Sequence, residues 1–580
     1  MASRVRQHAV AGLFVLLGTI ALLAAGCGTS SNAGNGNLAK SQVLNLAWAS
    51  GGGIDIPTLD PGQASDSQSI PPVNLIFDGL VTLNRQLQVT NWGADKVTQS
   101  SDGLTYTFHL RAGQSFSDGT AVKASDYAFA INRSDSPCLQ SPVNYYLWAI
   151  KDAQAFANSS CVAGTPTGSI KTLIGDSVVP DDGAGTLTIT LAAPAGYFLD
   201  AMTYSTSYAI ESSVVTGANL GADDKWLDSL KTGATGQGGS GMFYVSTWDH
   251  QGNLILKTNP HWWGVSQGKK PVLTEVDFKI FSSSDTLYNT YLSSSQFDFS
   301  NGVPPAQIAS AKSRPDYYSS SYLEINTVAL NWNIKPFDNL DARMAFCLAI
   351  NRDLIANNVL HDTVAPSWHL VPKGMPGYNA SGTGPDGVTA TTGDIAKAQA
   401  HWSAYLKTVN NQAPTIKYSY NTSSSSATAY AQALIAGWNQ VLPGANVQTD
   451  TTDWKTILKQ EQQKKVQAYR SGWIADYPDP QDFLTLLYST TSSYNNNTAS
   501  VPSADQLMQQ ADAIADPAKQ AQRMQMYNQA EQQLVNEVAV CPISQGLNFY
   551  MLRTYVKGFV ESAQGLVATT DWPGVSIQTH

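Results

Sequence analysis

The chain predicts an α/β protein built of more than one lobe, on three observations. Period-two alternations are scattered along it. Apolar residues at helical spacing lie between and after them. Its 580 residues also exceed what one hydrophobic core holds.

The strands come first. Leu104, Tyr106, Phe108 and Leu110 alternate with Thr105, Thr107 and His109, and Asp118-Gly119 is a turn signal beyond them. Leu187, Ile189 and Leu191 against Thr188 and Thr190, and Val276, Phe278 and Ile280 against Asp277 and Lys279, repeat the pattern. Helices are as plain. Asp341 is placed to cap a run in which Ala345, Leu348 and Ala349 share a face before Arg352. Ser503-Ala504-Asp505-Gln506 has the form of a capping box ahead of Leu507, Ala511 and Ile514. Asp516-Pro517 opens a further helix with Ala521, Met524, Tyr527 and Leu534 on one face. The Gly-rich run 233–241 marks a boundary, and Ser381 to Gly393 is a surface loop.

The N-terminus speaks for export. Arg4 and Arg6 precede an apolar run from Ala9 to Ala25, and small residues lead into Cys27. Such a segment is a lipoprotein signal, cleaved before Cys27, with residues 1–26 removed and 27–42 left as a flexible tether. A plain transmembrane anchor is the alternative, since seventeen apolar residues approach the lower limit for a span. Net charge is −10, and the signal carries two of the positive charges, so the mature chain is more acidic still. That acidity argues against nucleic acid or anionic lipid as a partner. Besides Cys27 there are Cys138, Cys161, Cys347 and Cys541. In an oxidising compartment these favour disulfides over metal. Cys138 and Cys161 close a short loop. Cys347 and Cys541 form either a second bridge or two buried thiols.

Catalytic patterns are scarce. Gly264-Val265-Ser266-Gln267-Gly268 has the letters of a nucleophile elbow, but loop residues flank it on both sides where a strand and a helix are needed. The eight histidines show no zinc spacing, and no phosphate-binding Gly-rich loop with Lys occurs. Asp476, Asp479 and Asp482 recur every third residue, a spacing unlike a calcium loop and interrupted by two prolines. The expectation is a protein that is no enzyme and takes no metal or cofactor.

One stretch carries the functional reading: Arg470-Ser471-Gly472-Trp473-Ile474-Ala475-Asp476-Tyr477-Pro478-Asp479-Pro480. Along a cleft it offers an anion for a ligand ammonium, a cation for a ligand carboxylate and an aromatic wall between them. That set suits a zwitterion such as a short peptide.

The ordered motifs also carry a resemblance. Asp102 to Thr120, Thr58-Leu59-Asp60-Pro61, Gly239-Ser240-Gly241 through Asn259-Pro260-His261-Trp262-Trp263-Gly264, Asn331 to Phe337, Arg343 to Arg352, the Gly472–Pro480 segment and Val538 to Ile543 together resemble the extracellular solute-binding protein family 5. These are the oligopeptide, dipeptide and nickel receptors of ATP-binding-cassette importers. The resemblance implies a two-lobed Venus-flytrap α/β fold with an extra inserted domain. Domain I would comprise 43–85, 239–325 and 546–580, domain II 86–238 and domain III 326–545, with a hinge near Ile325 and Gln545. It implies that Asp476 pairs with a peptide's α-amino group and that Arg470 approaches its carboxylate. Trp454 and Trp473 would wall side-chain pockets, and Gly472 and Ile474 would lend backbone to the peptide as an added strand. Tyr477 and Asn331 are further candidates. Where some tripeptide binders place a His after an Asn-Thr-Ser run, Asn421-Thr422-Ser423 continues into Ser424, so peptide length is left open. The expected partners are a short peptide and an importer's permease, with a monomer tethered by lipid at the periplasm or outer cell face. A non-peptide cargo (oligosaccharide, metal chelate or other small molecule) is the alternative.

Overall fold

Two strands, Tyr317–Leu330 and Cys541–Leu552, pair antiparallel and organise everything around them. The computed structural model describes residues 37–49, 54–421, 425–452 and 454–580, without the side chains of residues 218, 219, 421, 425, 426, 452, 454 and 455. The signal segment and Cys27 lie outside the described residues. Among those described, no helix is long and apolar enough to cross a membrane.

Tyr317 to Ser321 face Met551 to Leu547, and Ile325 to Val328 face Gln545 to Cys541, with a break in register between Ser321 and Ile325. On one flank of this pair the sheet continues through Phe299–Ser300, Val43–Ala49, Glu275–Phe281, Asn253–Thr258 and Phe243–Trp248. On the other flank it continues through Ala468–Ile474, Thr415–Asn421 and Asn446–Thr452. The two strands therefore pass from one half of an eleven-stranded sheet to the other among the described residues. Each half has its own core: Leu44, Leu46, Val276, Phe278 and Phe299 in the first, Val328, Phe346, Trp402, Tyr418 and Trp438 in the second. The architecture is two-lobed α/β.

The period-two runs at 105–110 and 186–190 build a separate antiparallel sheet with Ala94–Gln99 and Val178–Asp181. Tyr106, Phe108, Leu187 and Ile189 point into its core against Tyr127 and Ile131 of the helix Ala124–Asp135. Arg133 of that helix meets Asp60 of the Thr58–Pro61 motif in a fully buried bidentate pair, Nη1 to Oδ1 at 2.8 Å and Nη2 to Oδ2 at 2.5 Å. The Asn259–Gly264 motif is structural too. The indole N–H groups of Trp262 and Trp263 donate to Asp78 Oδ2 at 2.9 and 2.8 Å, and Trp92 donates to Oδ1 at 2.8 Å. Burial pushes the Asp78 carboxyl up to about 6 even so.

Local expectations fare unevenly. Asp516 caps the turn at Pro517–Lys519 that leads into Gln520–Asn536. The helix Leu340–Leu348, however, is capped by Asn339, whose side chain accepts from Ala342 N, and not by Asp341. The helix Pro502–Asp512 starts before Ser503, because Pro502 supplies the first helical φ and lacks only an N–H that is unpaired there in any helix. Ser266 ends a four-residue helical turn, Trp263–Ser266, and its hydroxyl donates to Trp263 O at 2.8 Å, so the elbow geometry is absent.

Both cysteine pairs are bridged, Cys138–Cys161 and Cys347–Cys541. The second ties the start of a crossing strand to a helix 194 residues earlier, and the buried guanidinium of Arg352 lies 3.4 and 3.3 Å from its two sulfurs. Chain-entropy reasoning makes the longer loop the costlier to open. Alanine at both Cys347 and Cys541 is expected to cost about 3–5 kcal/mol of unfolding free energy, and alanine at both Cys138 and Cys161 roughly 1–2 kcal/mol less. Denaturant melts of the two variants check the order.

Candidate ligand site

The strand Ala468–Ile474 is where the second lobe becomes incomplete. On one edge it pairs antiparallel with the crossing strand from Leu330 to Glu324. On the other it pairs in parallel with Thr415–Asn421 only at Ala468 and Tyr469. Beyond Tyr469 the two strands part and a cavity of about 430 Å³ opens. Ala475 N donates to Leu323 O at 2.7 Å, which sets the phase of the antiparallel ladder. By alternation the backbone N–H and C=O of Gly472 and Ile474 then face away from the crossing strand, toward the gap. A Cβ at position 472 would stand 3.1 Å from the Ile325 carbonyl.

Arg470 marks one end of this edge. Its Nη2 donates to Asn326 Oδ1 at 2.6 Å, and Asn326 in turn donates to Glu324 Oε1 at 2.9 Å. The guanidinium lies 5.4 Å from the Tyr430 ring and forms no ion pair among the described residues. Tyr418 and Tyr430 line the cavity with buried hydroxyls that have no hydrogen-bond partner among the described residues. Glu461 lines it as well, its carboxyl raised to about 7 by burial.

Asp476 marks the other end and also borders a second cavity of about 450 Å³ between the lobes. Its Oδ2 is buried without a hydrogen-bond partner of good geometry. Burial raises the carboxyl to about 6, although the nearby hydroxyls of Tyr146 and Tyr145 and the side chain of Asp482 pull it down. Asp482 is raised well above the ordinary range, by burial first and by the Asp476 charge next. Its Oδ2 accepts Asp476 N at 3.0 Å and Trp473 Nε1 at 3.2 Å, while Oδ1 has no partner. The two carboxyls therefore titrate as a pair, both raised and Asp482 the further of the two. No Lys, Arg or His among the described residues forms an ion pair with Asp476. A buried carboxylate without a partner is costly, and one facing an ammonium is not.

The structure thus gathers Asp476, Arg470, Gly472, Trp473 and Ile474 around one cavity. Trp473 is half-buried, edge-on to Tyr494 at 5.7 Å, and Ile474 is 51% exposed between the two cavities. Trp454 opens the helix Trp454–Gln462, and its side chain lies outside the described residues. Two candidates need correction. Asn331 is completely buried, with Nδ2 donating to Lys464 O and Val466 O, both at 3.0 Å, and Oδ1 accepting from Asn333 N and Thr498 Oγ1. With every polar atom engaged it is a structural pin. Tyr477 is turned inward by the proline-flanked turn, stacked on Tyr197 at 6.0 Å and edge-on to Tyr146 at 5.8 Å, with its hydroxyl on Gln481, and it reaches neither cavity. Sequence reasoning missed Tyr145, Tyr146, Glu324 and Glu461, which no spacing links to residue 476.

A two-lobed α/β protein, with an incomplete strand edge and a carboxylate without an ion-pair partner among the described residues at the boundary of an interlobe cavity, is a binding protein in class. Comparison with known proteins makes it particular. The family model for bacterial extracellular solute-binding proteins, family 5 Middle, matches residues 88–495, and the chain belongs to that family, whose members are extracytoplasmic receptors. It is 27% identical over 570 residues to the oligopeptide-binding protein OppA of Bacillus subtilis (strain 168), covering 95% of this chain and 97% of that one. Its fold is similar to that of MppA, the periplasmic murein tripeptide binding protein, in its unliganded open form (TM-score 0.75, 24% identity, 94% of this chain and 99% of that one). It is likewise similar to OppA of Haemophilus influenzae in complex with the peptide RPPGFSPFR (TM-score 0.68, 21% identity, 93% and 100%).

Proposed function

We propose that this protein captures short peptides between its lobes and delivers them to the permease of an ATP-binding-cassette importer, as a monomer tethered to the membrane by lipid on Cys27. The observation that carries the reading is Asp476: a buried carboxylate with an unpartnered oxygen, at the end of a strand edge whose backbone is open and whose far end carries an unpaired Arg470. An extended peptide added to that edge would place its ammonium at Asp476 and its carboxylate toward Arg470. The names of the relatives, oligopeptide-binding proteins among them, agree. The proposed partition is domain I from 43–85, 239–325 and 546–580, domain II from 86–238 and domain III from 326–545. The hinge lies at Ile325 and Gln545, where the crossing strands recover their register after the break.

Titration with a tripeptide and with its N-acetylated form, read by tryptophan fluorescence and calorimetry, tests this. Saturable binding is expected for the free amine, with acetylation weakening it by a factor of about 100 or more. Equal binding of the two would overturn the peptide reading in favour of a non-peptide solute. Mass spectrometry of what co-purifies names the cargo.

A further inference from the structure

The interlobe cavity holds a second acidic group that the peptide reading leaves unused. Glu561 lines it from the C-terminal segment, opposite the Asp476 end of the recognition strand. Its Oε2 accepts Asn548 Nδ2 at 2.6 Å, and Oε1 has no partner among the described residues. The backbone N–H of Glu561 meets the Tyr550 hydroxyl at 3.5 Å, which fixes the residue at the cavity wall. No Lys, Arg or His lines this cavity, whereas Asp66, Asp476 and Glu561 all do. Asp66 is braced at one oxygen by its own turn, its Oδ1 accepting Gln68 N and Ser69 N at 2.9 and 2.8 Å. Besides Asp66, two carboxyls thus border one 450 Å³ space, Asp476 beside the Tyr145 and Tyr146 hydroxyls and Glu561 with a single amide donor among the described residues.

We propose that Glu561 is a specificity-determining residue which, alongside Asp476, gives the cleft a second cation-binding position, so that the favoured cargo is a short peptide carrying a Lys or Arg side chain as well as a free amino terminus. The proposal rests on the peptide reading and deepens it. Burial raises the Glu561 carboxyl to about 8, because Asn548 is its only stabilising partner. An ammonium or guanidinium delivered by the cargo supplies the missing counter-charge, draws off the proton and converts a strained acid into a desolvated pair. An apolar side chain at the same place leaves the acid protonated and forms no ion pair, so the cleft favours the cationic cargo by what the added pair contributes.

The test uses the mature receptor and four peptides: trialanine and the three variants with lysine at each position in turn. Calorimetry should show one lysine peptide binding the wild type at least about tenfold more tightly than trialanine. In Glu561→Gln, which keeps the side-chain shape and the bond from Asn548, that preference should fall to within about threefold while trialanine affinity stays level. A thermal melt matching the wild type confirms that the variant is folded. If trialanine binds and no lysine peptide gains, or the gain survives in Glu561→Gln, the proposal is overturned and the peptide reading stands. If no peptide binds the wild type at all, both fall.

Discussion

Asp476→Asn should abolish high-affinity peptide capture without weakening the fold. Removing one partner of a buried, hydrogen-bonded charge pair costs about 2–5 kcal/mol, much of it the penalty for leaving the other charge unpaired. For a free-amine peptide that corresponds to a loss of roughly 30-fold to several thousand-fold in affinity. Asparagine keeps the shape and still accepts from the Tyr145 and Tyr146 hydroxyls. It also ends the like-charge contact with Asp482, so the melting temperature of the empty variant should hold or rise. A variant that binds as the wild type does would remove Asp476 from the site. Acid gives a second handle. The carboxyl is raised to about 6 in the empty protein, so below that pH it is protonated and cannot pair. Affinity should therefore fall as pH drops through 6, by about tenfold per unit once well below it. The sign for stability is opposite. A carboxyl whose folded value lies above its unfolded value of about 3.9 contributes stability at low pH that is lost as pH rises through 6. Empty protein should thus grow more stable in the very range where it stops binding.

What the chain revealed in advance divides along a physical line. Features that depend on neighbours in sequence were legible: the alternation at 105–110, the Asp118-Gly119 turn, and the Arg470–Asp476 segment, which is one strand, Ala468–Ile474, with the turn that directly follows it. Features made by distant segments were not. Tyr145 and Tyr146 reach Asp476 from a short helical turn far back in the chain, and nothing in a Tyr-Tyr doublet foretells a carboxylate partner 330 positions on. The Trp262-Trp263 pair stands in the sequence only as part of a family motif, and its job, donating both indole N–H groups to Asp78 in the core, is made by a segment 184 residues away. Asn331 was overread for a related reason: an amide that satisfies four backbone and side-chain groups is as constrained as one that meets a ligand. The helix starts lie within two residues of those expected, at Leu340 with Asn339 as cap and at Pro502.

The turn that aims Asp476 is itself held from afar, and breaking that hold should be the most damaging single change to stability. Arg523, on the helix Gln520–Asn536, meets Asp479 with Nη1 to Oδ2 at 2.5 Å and Nη2 to Oδ1 at 2.7 Å, both side chains buried. It also donates to Ala511 O and the Tyr527 hydroxyl. Asp479 stands three residues after Asp476, between Pro478 and Pro480, and accepts Gln481 N at 2.9 Å. Around the guanidinium lie two more carboxyls, Asp512, raised to about 7 by burial, and Asp200, raised well above its ordinary range by burial and then by the Asp479 charge. Arg523→Met would leave that group of acids with no cation. The expected loss is about 3–5 kcal/mol in unfolding free energy, and the loosened turn should weaken peptide binding as well. Asp479→Asn should do comparable harm to stability by stranding the guanidinium. The double variant Asp479→Asn/Arg523→Met should lose much less than the sum, because a neutral packed pair pays no desolvation of ions. In Arg523→Met alone the deficit should shrink toward pH 4, where the orphaned carboxyls fold protonated. Denaturant melts of the cycle at pH 7 and pH 4 decide it: additive losses, or a deficit unmoved by acid, would mean that the buried pair is not what fixes the turn.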